Sequence, residues 1–276
     1  MYIMLSHEGE KMPDRIHNKS SNFDKLEALM RVLREECPWD KEQTLTSLRR
    51  YTLEETHEVL EAVDHAEKHD DWQKLKNELG DLLIQVAFYA RIADEQGKFS
   101  LGDVIDTLID KMIYRHPHVF EGAKPDDLNR QWESLKDAEH SERHSLMDDI
   151  PPLPALAYAL KQQSRASRVG FDWDNPKDVI AKMEEELAEL SHEVASNADP
   201  ARIEDEFGDV LFTLVNLGRK LGVDAEIALM HTNRKFSRRF RGMEGLAEKK
   251  GIVLADLGID ELEGLYEEAK QSLEGN

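Results

Sequence analysis

The stretch Pro176–Leu221, PKDVIAKMEEELAELSHEVASNADPARIEDEFGDVLFTLVNLGRKL, decides how this chain is read. Its apolar residues recur every three or four positions, the period of a helix packed on one face. A polar turn around Asn197–Pro200 splits it into two helices, Pro176–Ala195 and Asp199–Leu221, short-linked and therefore antiparallel. On the first, Glu185 and Glu189 are four apart and Glu186 and Glu189 three apart, so the acids share a face. On the second, Glu206 and Asp209 share a face in the same way. Packing the two helices directs five carboxylates to one place, with Asp209 expected in the bundle core and Gly208 expected to admit a neighbouring backbone.

The same pattern stands earlier in the chain. Glu54-Glu55-x-x-Glu58 matches the first acidic run, and Glu78-Leu79-Gly80-Asp81 matches Glu206-Phe207-Gly208-Asp209. Pro38-Trp39-Asp40 parallels Phe171-Asp172-Trp173-Asp174; Arg91 parallels Arg219; Lys111 and Arg115 parallel Lys235 and Arg239. Self-similarity at matched offsets signals duplication, and two copies suit paired bundles rather than a solenoid. Further helices are expected at Phe23–Glu36 with Asn22 as cap, Ser47–Ala66, Asp71–Gln96, a Ser100-capped helix to Arg115, Asp126–Glu139, Ala155–Arg168, Asp224–Arg241 and Asp260–Leu273. The expected architecture is all-α, with two duplicated helical-bundle domains at 21–138 and 155–276. A polar, proline-bearing linker at 139–154 joins them, behind a loosely ordered first 20 residues.

Composition narrows the function. The 276 residues hold 57 acids against 36 bases, a net charge of −21, so the summed field repels a polyanion and no nucleic-acid partner is expected. No apolar run approaches the ~20 residues of a membrane span. Met1–Leu5 lacks the basic region of a signal peptide, and the single Cys37 suits a reducing compartment; a cytoplasmic protein without a membrane partner is expected. No glycine-rich phosphate loop is present.

Five clustered anions need neutralising. Carboxylate oxygens, with no histidine or cysteine at zinc-like spacing among them, suit a hard divalent cation, Mg²⁺ first and Mn²⁺ as a possible substitute. Such a cation accepts phosphate oxygens and activates water. Lys235 and Arg239, four apart and flanked by Arg238, read as a phosphate clamp. A single Glu-x-x-Glu run is usually a solvated face, and it is the matched second run that favours a metal site. His69-Asp70 reads as a polar turn, His116-Pro117-His118 as a helix stop, Trp39 and Trp173 as bundle anchors, and Cys37 as inert.

These residues resemble the MazG family of nucleoside triphosphate pyrophosphohydrolases, whose pattern is Glu-Glu-x-x-Glu, a spacer, then Glu-x-x-Asp. Cys37-Pro38-Trp39-Asp40 with Gln43-Thr44, Arg115-His116-Pro117-His118-Val119-Phe120 and Val169-Gly170-Phe171-Asp172-Trp173 extend the likeness over roughly residues 20–274. The resemblance implies an all-α homodimer that converts (d)NTP to (d)NMP and pyrophosphate with Mg²⁺, with broad base tolerance, in house-cleaning or pool control. It implies that the C-terminal half is active, with Glu185, Glu186, Glu189, Glu206 and Asp209 holding metal or orienting water. Arg202, Asn233, Lys235 and Arg239 would then contact nucleotide or phosphates, and Tyr266 would stand where a base-stacking tryptophan is common. In the N-terminal half, Glu54, Glu55, Glu58, Glu78, Asp81, Lys111 and Arg115 form a secondary candidate site, with Ile109 in the place of Asn233; a binding or dimer-forming role is expected for it. The competing reading is a non-catalytic acidic helical scaffold that binds nucleotide or a partner protein, and a regulatory partner in addition to catalysis stays open.

Overall fold

The structure, a computed structural model, describes residues 14–123, 128, 131, 132, 135 and 144–274. Among these residues there are helices, turns and bends but no strand. The fold is all-α and built from duplicated bundles. The chain divides between Glu139 and His140 into two compact units.

The first unit runs α1 (Asp14–His17), α2 (Asn22–Glu36), α3 (Pro38–Glu42), α4 (Arg49–His69), α5 (Trp72–Glu95), α6 (Leu101–Arg115) and α7 (Pro117–Phe120). Helix α4 packs along α5 as an antiparallel hairpin. Asp70 closes α4 in the left-handed region at φ 54°, and the Asp71 side chain caps α5. Met30, Leu48, Ala87, Phe88, Ala90, Ile92 and Leu101 form its core. Arg34 ties the α2–α3 corner by donating to the carbonyls of Asp40 (2.6 Å) and Gln43 (3.0 Å) and to Glu95 (2.7 Å).

The second unit runs α8 (Ala155–Ser167), α9 (Pro176–Ala195), α10 (Pro200–Leu221), α11 (Ala225–Lys250), a 3₁₀ turn (Leu254–Asp256) and α12 (Ile259–Glu274). Helices α9 and α10 form the hairpin matching α4 and α5, α8 packs on α10, and α11 pairs with α12. Asn175 and Asp199 cap α9 and α10, each ahead of a proline whose fixed φ suits a first helical position. Met243, Ala247, Leu265 and Ala269 form the α11–α12 core. Arg165 is buried and donates to the carbonyls of Leu146 (2.7 Å) and Asp148, tying the chain ahead of α8 to this unit.

Several boundaries differ from the periodicity. The cap of α2 is Ser21, not Asn22, because Ser21 and Asp24 form a reciprocal capping box. Helix α4 starts at Arg49 because Thr44 and Ser47 close a turn through their own side chains. Helix α11 runs to Lys250, past Arg241: Gly242 continues it at a close contact, where an added Cβ would stand 3.2 Å from Leu273 Cδ1. One helical turn, α1, lies within the first 20 residues. The expected helix at Asp126–Glu139 and the start of the linker lie largely outside the described residues.

The cores are thin. Outside Met30, Leu48, Val179 and Val215, few large side chains are fully buried, and many apolar ones stay exposed. On α10 alone Phe207, Leu211, Phe212 and Leu214 are uncovered, and on α5 and α6 Leu79, Leu83, Leu108 and Ile109 are. Among the described residues no helix is long and apolar enough to cross a membrane.

Candidate metal and phosphate site

The hairpin of the second unit assembles the acids from one buried stripe. Val179, Glu186 and Glu193 follow one another at intervals of seven on α9, and all three are buried. Every second turn of α9 therefore points inward, and two of those three positions carry carboxylates. Carboxylate oxygens of Glu186, Glu206 and Asp209 all lie within 4.8 Å of one another. Burial first, and then the neighbouring charges of Glu189, Asp209 and Glu186, raise the Glu206 carboxyl above its ordinary value.

Glu185 and Glu189 lie outside this triad but line a cavity of about 370 Å³ with His192, Glu193, Arg202 and Glu206. Lys182 sits one turn before the cluster, its Nζ 2.8 Å from Glu185 and 2.7 Å from Glu186. Hydrogen bonds to Glu185 and Glu186 hold its ammonium well above the ordinary lysine range. Burial and the neighbouring acids together raise Glu206 even with Lys182 beside Glu185 and Glu186. An all-oxygen donor set with unrelieved repulsion fits a hard divalent cation, and Glu186, Glu206 and Asp209 can hold it.

The first unit repeats the geometry with different members. Glu55, Glu58 and Glu78 bring their oxygens within 4.8 Å of one another. Burial raises Glu55, helped by the charges of Glu58, Asp81, Glu54 and Glu78; Glu58 is raised by desolvation and by Glu78. The position matching Lys182 is Tyr51, whose ring carries the Arg50 guanidinium 4.4 Å from its centroid. Arg115 stacks over Trp132 at 5.4 Å, and Lys111 is exposed.

The remaining expected contacts sit on other helices. Asn233 and Lys235 are exposed on α11 and Arg239 is half-buried there. Tyr266, on α12, is half-buried with its ring 5.9 Å from Phe236. Phe236, Phe240, Met243, Leu254, Leu262 and Tyr266 line a mainly apolar cavity of about 760 Å³.

Three expectations are corrected. Asp209 is exposed, and the buried acid of the triad is Glu186, because the α9 stripe that carries Glu186 and Glu193 turns inward. An added Cβ at Gly208 meets nothing within 4 Å, since Gly208 lies on the uncovered side of α10 beside Phe207. Trp39 (51% exposed) and Trp173 (37%) are not buried anchors. The turn at Trp173 is held instead by Asp172, which takes Arg219 at 2.5 Å and Lys220 at 2.6 Å. Burial alone would raise Asp172, but the hydrogen bonds from Arg219 and Lys220 win and lower it. His116 stops α6 as expected, its Nδ1 2.6 Å from the Met112 carbonyl oxygen.

Sequence reasoning missed Lys182 and Glu193. Lys182 was legible, since a lysine three and four residues before Glu185 and Glu186 must share their face. Glu193 was legible only as the third member of the seven-residue stripe.

Comparison with known proteins identifies the family. The profile of the MazG nucleotide pyrophosphohydrolase domain matches residues 43–120 and 174–242, one segment in each unit. A Thermotoga maritima protein named nucleoside triphosphate pyrophosphohydrolase/pyrophosphatase MazG is 48% identical over 252 residues, covering 90% of this chain and 95% of its own. The Escherichia coli nucleoside triphosphate pyrophosphohydrolase is 41% identical over 261 residues, covering 91% and 98%. Bacillus subtilis YabN, which is uncharacterised, is 42% identical over 257 residues, covering 91% of this chain and 52% of its own. Two matched segments carrying the two acidic hairpins, with end-to-end similarity to such relatives, establish that this chain belongs to the MazG nucleotide pyrophosphohydrolase family.

Proposed function

We propose that the chain hydrolyses nucleoside and deoxynucleoside triphosphates to the monophosphate and pyrophosphate, at the α9–α10 hairpin and with Mg²⁺. The observation that carries this reading is the meeting of Glu186, Glu206 and Asp209 oxygens within 4.8 Å, flanked by Lys182 and Arg202. Glu186, Glu206 and Asp209 hold the cation. When bound, Mg²⁺ or the substitute Mn²⁺ neutralises the phosphate oxygens and polarises the phosphorus under attack.

The chain's own residues do the rest. Lys235 and Arg239 on α11, with Arg202 and Asn233, bind and orient the phosphates, and Lys235 and Arg239 offset charge on the departing pyrophosphate. Glu189 lines the cavity outside the triad, whereas Glu186 is committed to Lys182, so Glu189 is the acid placed to accept the proton of the attacking water. Tyr266 offers an aromatic face to the base. This machinery addresses phosphate and metal, which supports broad base tolerance and a role in nucleotide-pool control or house-cleaning in the cytoplasm.

The exposed apolar faces of α5–α6 and α10 support a homodimer that covers them. In the first unit, Glu54, Glu55, Glu58, Glu78 and Asp81 keep the acids, but Ile109 replaces Asn233 and Tyr51 replaces Lys182. A binding or dimer-forming role is assigned to that unit. Chromatographic product analysis of a panel of NTPs and dNTPs with Mg²⁺, Mn²⁺ or EDTA tests the function. Metal-dependent monophosphate plus pyrophosphate is expected. Diphosphate plus phosphate would refute the reaction, and no turnover by the folded protein would leave an acidic scaffold.

A further inference from the structure

Glu193 is 6% exposed and lies one turn beyond Glu189 on α9. Its Oε1 accepts a hydrogen bond from Nη2 of Arg202, in the first turn of α10. The Arg202 side chain is otherwise open, 67% exposed, and both residues line the cavity that Glu185, Glu189 and Glu206 share. A buried carboxylate is costly, and an apolar side chain would fill its place with less penalty. Stability therefore gives a weak reason for an acid here.

The geometry gives a better one. Arg202 and Glu206 are four apart on α10, a spacing at which they would pair directly. Such a pair would place the guanidinium on an acid of the metal triad. Glu193 engages it instead through Nη2, leaving further donors of the planar group to turn toward an incoming anion. The first unit lacks this device. Ala62, fully buried, stands at the position of Glu193, and Lys74, at that of Arg202, pairs with the exposed Glu61 at 3.3 Å.

Resting on the pyrophosphohydrolase reading, we propose that Glu193 is a positioning residue: it holds Arg202 off the metal-binding acids and presents it to the phosphates of the bound triphosphate.

The test uses the full chain with Glu193→Ala, Glu193→Leu, Glu193→Gln, Arg202→Ala and the double variant Glu193→Leu/Arg202→Ala. KM and kcat are measured with Mg²⁺ and an NTP, and Kd with an α,β-methylene triphosphate and with inorganic triphosphate. Loss of the held arginine is expected to raise KM and both Kd values about tenfold in Glu193→Ala, Glu193→Leu and Arg202→Ala, with kcat within about threefold. The double variant loses no more than either single change, and Glu193→Gln, which keeps an acceptor, recovers most of the binding. Glu193→Leu fills the buried site without charge and carries the test if Glu193→Ala does not fold. Unchanged KM and Kd in Glu193→Leu, or additive losses in the double variant, would overturn the role of Glu193. A wild type that turns over no nucleotide would instead refute the pyrophosphohydrolase reading itself.

Discussion

Replacing Lys182 with methionine removes a cation that pairs directly with Glu186 at 2.7 Å, while Glu186 itself stays 5% exposed. Breaking a fully buried pair by removing one partner costs about 3–5 kcal/mol, because the surviving charge is left without compensation. Here the lysine side chain is 32% exposed and its second partner, Glu185, 58% exposed, so water screens part of the interaction. Discounting for that screening leaves a loss of roughly 2 kcal/mol at neutral pH without divalent cation. For a unit of this size that corresponds to a fall in Tm of about 6–10 °C. The deficit should shrink when Mg²⁺ is added, since the same Glu186 oxygens would then face a divalent charge. Thermal and urea unfolding of wild type and Lys182→Met, each in EDTA and in Mg²⁺, measures both effects. A variant as stable as wild type in EDTA, or a deficit untouched by Mg²⁺, would refute the argument that lysine and metal serve the same acids.

Raised carboxyls predict a pH signature. Glu55, Glu58 and Glu206 lie above their ordinary 4.5, so the stability they hold is complete below that value and lost as pH rises through their folded values. In EDTA, Tm should therefore decline as pH rises away from 4.5 through those values, and Mg²⁺ should restore it at neutral pH; Tm against pH with and without the metal checks this. Asp172 has the opposite sign: lowered below 3.8, it contributes stability above that value and loses it as pH falls through its folded value. Asp172→Asn should cost about 1–3 kcal/mol at neutral pH in urea unfolding, and the cost should vanish in strong acid. At Gly218 an added Cβ would stand 2.9 Å from the Val223 carbonyl oxygen, which is backbone and cannot swing away. Gly218→Ala should cost about 1–3 kcal/mol, whereas Gly245→Ala, whose Cβ meets nothing within 4 Å, should be neutral or gain up to about 1 kcal/mol.

Much of the fold was legible because helix hairpins are local. The acidic hairpins, their caps Asp71, Asn175 and Asp199, and the Gly222 terminus are all set by neighbours in sequence. What was hidden depended on three-dimensional facing. Periodicity puts Glu186 and Glu189 on one side of α9, yet only the seat of that helix against α10 decides that Glu186 is buried and Asp209 exposed. Gly208 and Phe207 lie on a face that a single chain leaves uncovered, so a core position in the pattern became a surface one. The duplication was legible at the acids. The divergence of Lys182 from Tyr51 and of Glu193 from Ala62 was present in the letters but acquired meaning only once partners and burial were known.

The central claim is that the α9–α10 acids, rather than their α4–α5 counterparts, carry turnover. Pyrophosphate release with Mg²⁺ from wild type, Glu206→Gln and Glu78→Gln tests it most directly, because both substitutions keep size and remove one triad charge. Metal-dependent release should fall at least about a hundredfold in Glu206→Gln and stay within about threefold of wild type in Glu78→Gln. Equal loss in the two variants, or full activity in Glu206→Gln, would contradict it.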